Sequence, residues 1–199
     1  MRFAENFITP LIPLCLATAI LNGCATVSGG GNADNAAIDK LPGDRLVVPG
    51  TRVGQIYLGQ SIDEVVKRLG PPDSGGTKVL TWGSEQRLDC IWKGWRYGVS
   101  VSYRSDDARA RVNAIWVESP KWRTAADVGI DTPFKYALDK IKESTVRGYT
   151  TYCESYGCGT NDSNGLRLDA RTRDSALHIM VVYDPDVTWS CVGNHPPRN

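Results

Sequence analysis

Six cysteines, two histidines and several close acidic pairs are the side chains in this chain best equipped for chemistry. Cys153 and Cys158 lie in "CESYGC", a Cys-x4-Cys spacing at the loose edge of structural zinc sites. Cys90 and Cys191 are far away in sequence and do not form a second ligand pair. A catalytic redox pair favours Cys-x-x-Cys, which is absent here. His178 sits in the alternating stretch "LHIMVVY" and His195 in the polar tail "GNHPPRN". No nucleophile elbow accompanies either, so a Ser/His/Asp site has no local support. Asp106-Asp107 and Asp184/Asp186 fall at hairpin ends, where carboxylates make turns, and their spacing lacks the regular ligands of a calcium loop. These observations name no catalytic residue, no metal and no cofactor, and the chain is expected not to be an enzyme.

The aromatics are a stronger signal. Trp82, Trp92, Trp95, Tyr97, Trp116 and Trp122 crowd the middle of the chain. Core and cross-strand packing is their plainer role. The sharper one is a partner surface, because rigid aromatics near arginine often supply binding hot spots. "WKGWRYG" is the best local candidate, with Trp92, Trp95 and Tyr97 as its contact residues. Tyr149, Tyr152 and Tyr156 around the Cys-x4-Cys loop offer a second patch. Nucleic acid is not an expected partner: 23 basic against 22 acidic residues give a formal charge of +1, with no concentrated basic face. With 41% apolar residues the chain can bury a real core.

The amino terminus reads "MRFAENFITPLIPLCLATAILNGC". A short positive start and an apolar run from Phe7 to Leu21 have the form of a signal peptide over residues 1–23. That run is short for a membrane span, which needs about 20 apolar residues. Leu21-Asn22-Gly23-Cys24 resembles the lipobox of bacterial lipoproteins. The resemblance implies cleavage before Cys24, lipidation of its thiol and attachment to a membrane through several acyl chains, which hold far better than one. Ala25 after the cysteine implies outer-membrane sorting, facing the periplasm. Residues 24–50, rich in Gly, Asn, Ala and Asp without periodicity, read as a flexible tether. Gly29-Gly30-Gly31 has neither the preceding strand nor the following helix that a nucleotide loop requires. With Cys15 removed and Cys24 lipidated, Cys90, Cys153, Cys158 and Cys191 form an even set in an oxidising compartment. Three pairings are open. The short loop puts Cys153–Cys158 first, leaving Cys90–Cys191, whereas the like positions of Cys90 and Cys158 ahead of their strands permit another.

The elements that must position these residues are legible in outline. Ser61 with Glu64 reads as a capping box, followed by an apolar face of Ile62, Val65, Val66 and Leu69 and a stop at Gly70-Pro71-Pro72. Strands are expected at Lys78 to Trp82, Asp89 to Gly98 with an interruption at Gly94, Gly98 to Arg104, and Arg111 to Pro120. Thr132 and Pro133 then open a second helix. Its Phe134, Leu138 and Ile141 fall 72 residues after Ile62, Val66 and Leu69. Further alternating stretches end at Pro185. The expectation is therefore an α+β fold of two tandem copies, each a short helix on an antiparallel meander sheet, over residues 51–125 and 126–199.

Ile56-x-x-Gly59-x-Ser61-x-x-x-Val65-x-x-x-Leu69-Gly70-x-Pro72, followed by Trp and strands, resembles the outer-membrane assembly lipoproteins of the BamE/SmpA/OmlA type. The doubling is similar to the tandem fold of β-lactamase-inhibitory proteins. Together these resemblances imply a membrane-anchored, non-enzymatic interaction or assembly module with an envelope protein partner. An inhibitor or sensor of another envelope protein, and a periplasmic hydrolase, are the alternatives.

Overall fold

The computed structural model describes residues 43–82, 86–144, 149–155, 157–162, 164–186 and 191–192. Residues 1–23, expected as a signal peptide, Cys24, most of the expected tether, Tyr156 and His195 lie outside these residues. Among them, no helix is long and apolar enough to cross a membrane.

Among the described residues, twelve strands and two helices follow one another. β1 (Leu46–Val48), β2 (Arg52–Val53) and β3 (Ile56–Tyr57) precede α1 (Ile62–Leu69). Next come β4 (Ser74–Trp82), β5 (Gln86–Trp95), β6 (Val99–Arg104), β7 (Ala114–Val117) and β8 (Arg123–Thr124). After α2 (Phe134–Ser144) come β9 (Tyr149–Glu154), β10 (Gly157–Asp162), β11 (Leu166–Ala170) and β12 (Leu177–Tyr183). Because Leu46 to Val48 already form a strand, the folded body starts ahead of Thr51, where the composition change suggested.

α1 forms as its sequence signals require. The Ser61 hydroxyl accepts from the Glu64 N–H and the Glu64 carboxylate accepts from the Ser61 N–H, a complete capping box. Asp63 and Glu64 in the first turn and Lys67 and Arg68 in the last complement the helix dipole. Gly70 ends the helix at φ 84°, a conformation that penalises any residue with a Cβ. At α2 the entry is tertiary: the Ser175 carbonyl accepts the Phe134 N–H, and the Thr132 hydroxyl accepts from Gly129.

The expectation of two tandem helix-on-meander copies is overturned. Strand makes up 47% of the described residues and helix 14%, so the fold is mostly β. Eight strands form one antiparallel sheet in the order β4-β5-β6-β7-β12-β11-β10-β9. The join is β7 against β12, in the register Val117 to Met180 and Ile115 to Val182. Ala114, Ile115, Val181 and Val182 are all fully buried, so both faces of this seam are covered and neither strand is an edge. Residues on both sides of the join share one core: Val65 of α1 and Val101 of β6 belong to the same packed cluster as Phe134 of α2 and Leu168 of β11. A second, small sheet in the order β3-β2-β1-β8 was not foreseen, and in it β1 runs parallel to β8. Gly94 does not interrupt β5, which continues to Trp95.

Both helices pack on one face of the large sheet. Among the described residues, the opposite face has no helix. It carries Trp116 and Ile179 beside a smaller cluster of Ala114, Val181, Tyr183 and Val192. The pair Cys191–Val192 crosses this face, tied down by the disulfide to Cys90. It is held further by Asn113, whose side chain accepts from the Cys191 N–H, and by Arg167, which donates to the Val192 carbonyl.

Candidate functional site

Strand alternation decides what the helix-free face presents. In β6, Val99, Val101 and Tyr103 enter the core, so Ser100 and Ser102 face the other way. In β7, Ile115 and Val117 are core, so Trp116 joins the serines. In β5, Cys90, Trp92 and Gly94 share this face. The register sets Trp92 beside Ser102 and Gly94 beside Ser100, which in turn lies beside Trp116. Small side chains between two indoles leave a cleft of about 430 Å³, with Lys78 and Glu118 also on its walls. That volume is in the range of small-ligand and side-chain pockets.

Trp92 lies flat on a glycine floor. A Cβ on Gly76, its partner on β4, would come within 3.0 Å of the Trp92 Nε1. One on Gly94 would come within 3.4 Å of Cζ3 on the other side of the indole. The ring therefore extends across β4 towards the sheet edge and remains 37% exposed. Trp116 is fixed differently, its Nε1 donating to the Ser102 hydroxyl at 3.2 Å. The Cys90–Cys191 disulfide closes one end of the cleft and packs on Leu80 and Leu88. The second disulfide, Cys153–Cys158, links β9 to β10 within their hairpin. Among the three pairings left open by the sequence, this is the one found.

The trio Trp92, Trp95 and Tyr97 is not brought together. Trp95, three residues after Trp92, turns to the opposite face, is 5% exposed and donates from Nε1 to the Gly70 carbonyl at 3.0 Å. The Tyr97 hydroxyl reaches the Leu69 carbonyl and its own carbonyl accepts from the Trp122 indole. These two rings fasten α1 and Trp122 to the sheet. Trp116, Ser100, Ser102, Lys78 and Glu118 were missed as site residues. The alternation in "GVSVSYR" carried the signal for the two serines, and nothing local carried it for the others.

The acidic pairs have structural partners. Asp106 accepts from the Arg104 guanidinium, which lowers its pKa. Asp107 accepts from the backbone N–H groups of Arg109 and Arg111 and from the Arg111 guanidinium, with the Arg109 bond the largest cause of its lowered pKa. Asp184 accepts from the Asp186 N–H and closes its own turn. Asp106 and Asp107 are thereby held in their charged form, unlike a general acid, which must carry a proton. His178 is exposed near the start of β12. Among the described residues, no group of three or more His, Cys, Asp or Glu side chains is placed to hold a metal ion.

No protein-family model matches this chain, and no curated protein matches it. Among solved structures it is similar to the crystal structure of the uncharacterized protein yfeY from Escherichia coli. The two are 9% identical, the likeness covers 68% of this chain and 98% of that one, and the TM-score is 0.43. At that score the likeness carries no argument about fold or function.

Proposed function

We propose that this chain is a lipid-anchored envelope protein that binds another polypeptide and catalyses no reaction, using the helix-free face around Trp92 as its contact surface. The observation that carries the reading is the exposed Trp92 indole, laid on Gly76 and Gly94 at the mouth of the 430 Å³ cleft. A large, rigid ring held in place without its own core contacts is the kind of residue that anchors interfaces. The anchor half of the reading rests on the lipobox-like Leu21 to Cys24, the tether behind it and the resemblance to assembly lipoproteins. Two disulfides suit an oxidising compartment outside the cytoplasm.

The test is photo-crosslinking in the native host, with a photoreactive phenylalanine analogue at Trp92 and, as control, at Tyr136, the exposed aromatic of α2. The expected result is a discrete protein adduct from position 92 that fractionates with membranes, little from position 136, and release to the soluble envelope fraction in Cys24→Ser. Equal labelling from both positions, or none from position 92, removes the contact surface. Membrane retention of Cys24→Ser removes the lipid anchor.

A further inference from the structure

β4 ends the large sheet and pairs only with β5 among the described residues. Its nine residues therefore present a row of backbone N–H and C=O groups to solvent. Residues 74 to 79 are all exposed, including the bulky Val79, which is 46% exposed. Gly75 and Gly76 leave the backbone bare at one end. What satisfies such an edge chemically is another strand.

The charge on the edge narrows which strand. β4 carries one ionisable side chain, Lys78, with no ion-pair partner among the described residues. Lys78 is the fifth of the nine residues. A second copy pairing antiparallel over the full length of β4 would therefore set Lys78 directly against its own counterpart, and like charges directly opposite are destabilising. A strand with a carboxylate at that position gains instead. Glu118, the acidic wall of the cleft, follows directly on the end of β7, which is three strands away from β4, or about 14 Å at ordinary strand spacing.

The neighbouring position adds an apolar requirement. Residues directly opposed across two strands point to the same face. A partner residue opposite Gly76 thus lies over the bare glycine, beside the Trp92 indole that reaches across it. In an antiparallel partner, the residue opposite Gly76 comes two positions after the one opposite Lys78. We infer that β4 is a docking edge for an extended, acidic segment of another polypeptide, which joins as a ninth strand with a carboxylate opposite Lys78 and, two residues later, an apolar side chain against Trp92. This rests on the binding function proposed above and specifies the class of partner.

The probe is a displayed library of random nonapeptides panned against the full-length protein in detergent micelles. Recovered peptides are expected to carry Asp or Glu two residues before an aliphatic or aromatic residue. Lys78→Glu should weaken them at least tenfold and bind their Lys-for-acid counterparts better than the wild type does. N-methylation of one alternate set of peptide amides should abolish binding, while the other set is tolerated. Bound peptide should slow amide exchange in the first half of β4 at least tenfold. Recovery of no peptide, or of peptides indifferent to Lys78→Glu or to N-methylation, overturns strand addition. Concentration-dependent dimerisation that bound peptide competes away overturns it in favour of a second copy. If crosslinks from Trp92 persist in cells while the library test fails, the binding surface stands and only the strand mode falls.

Discussion

Trp122 shows how much one side chain holds. It is fully buried, its Nε1 donates to the Tyr97 carbonyl at 2.9 Å, and Gly54 makes room for its ring. Trp122→Ala should cost about 3–5 kcal/mol, the range for deleting a large aromatic from a core. Trp122→Phe retains most of the apolar contact but leaves a part-buried carbonyl without its donor, at about 1–3 kcal/mol. Urea unfolding of the two variants separates these contributions: no loss in Trp122→Phe would show the hydrogen bond to be irrelevant, and equal losses would show that the apolar contact phenylalanine keeps contributes nothing. A second residue, Glu64, ties stability to pH. Its pKa is lowered, chiefly by the hydrogen bond from the Ser61 hydroxyl. A carboxyl whose folded pKa lies below its ordinary value of 4.5 stabilises the fold above that value, and this contribution is lost as pH falls through the folded pKa. Thermal melts of Glu64→Ala should therefore lie below those of the wild type at neutral pH and converge with them below pH 4.5. A difference that grows on acidification contradicts the capping assignment.

At the scale of elements, the two disulfides hold different things. Cys153–Cys158 spans 5 positions within one hairpin, whereas Cys90–Cys191 spans 101 and pins the strap over the helix-free face. Loop-closure entropy gives about 2 kcal/mol for the short loop and about 4–5 kcal/mol for the long one. The double variant Cys90→Ser/Cys191→Ser should thus lose roughly twice the stability of Cys153→Ser/Cys158→Ser in denaturant titrations. The reverse order would mean that the strap is not held by its disulfide. How far such elements could be read from sequence depended on the range of the forces that make them. α1 was legible because its capping box, apolar face and glycine stop lie within ten residues. The strands of the small sheet, two or three residues each, are too short to show a period. The strand expected from Lys78 begins instead at Ser74: glycine has poor strand propensity, yet pairing with Gly94 and Trp92 draws Ser74 to Thr77 into β4. That miss hid the cleft: Trp92 was visible as an aromatic, but its exposure follows from two glycines on either side of it, one on another strand. Trp95 looked equivalent in the linear sequence, and the parity of β5 sent it into the core.

For the molecule as a whole, the β7–β12 pairing matters most, and it explains why the helix spacing misled. Apolar positions 72 residues apart reported two similar helices, but spacing within each half is silent about which strands meet across halves. Hydrogen bonding of β7 to β12 makes the sheet continuous, and core residues from α1, β6, α2 and β11 pack in one cluster. Neither half can keep its seam strand covered without the other, because removing one exposes the backbone edge and apolar surface of its partner. The body should therefore unfold as a single cooperative unit. Met180, fully buried and opposite Val117, is the place to test this. Met180→Lys buries an ammonium in the shared core and should lower the melting temperature of the whole body. Calorimetry of wild type and variant should show one transition, with the calorimetric and van't Hoff enthalpies agreeing in each. Two independent units would instead give two transitions, with the substitution shifting one and leaving the other in place. The same coupling bears on binding: β4 and β9 are the outermost strands of one sheet, so a partner added at β4 extends a structure whose rigidity comes from both halves. Met180→Lys, some four strands from β4, should then weaken peptide capture at the edge only under conditions where it also unfolds the core.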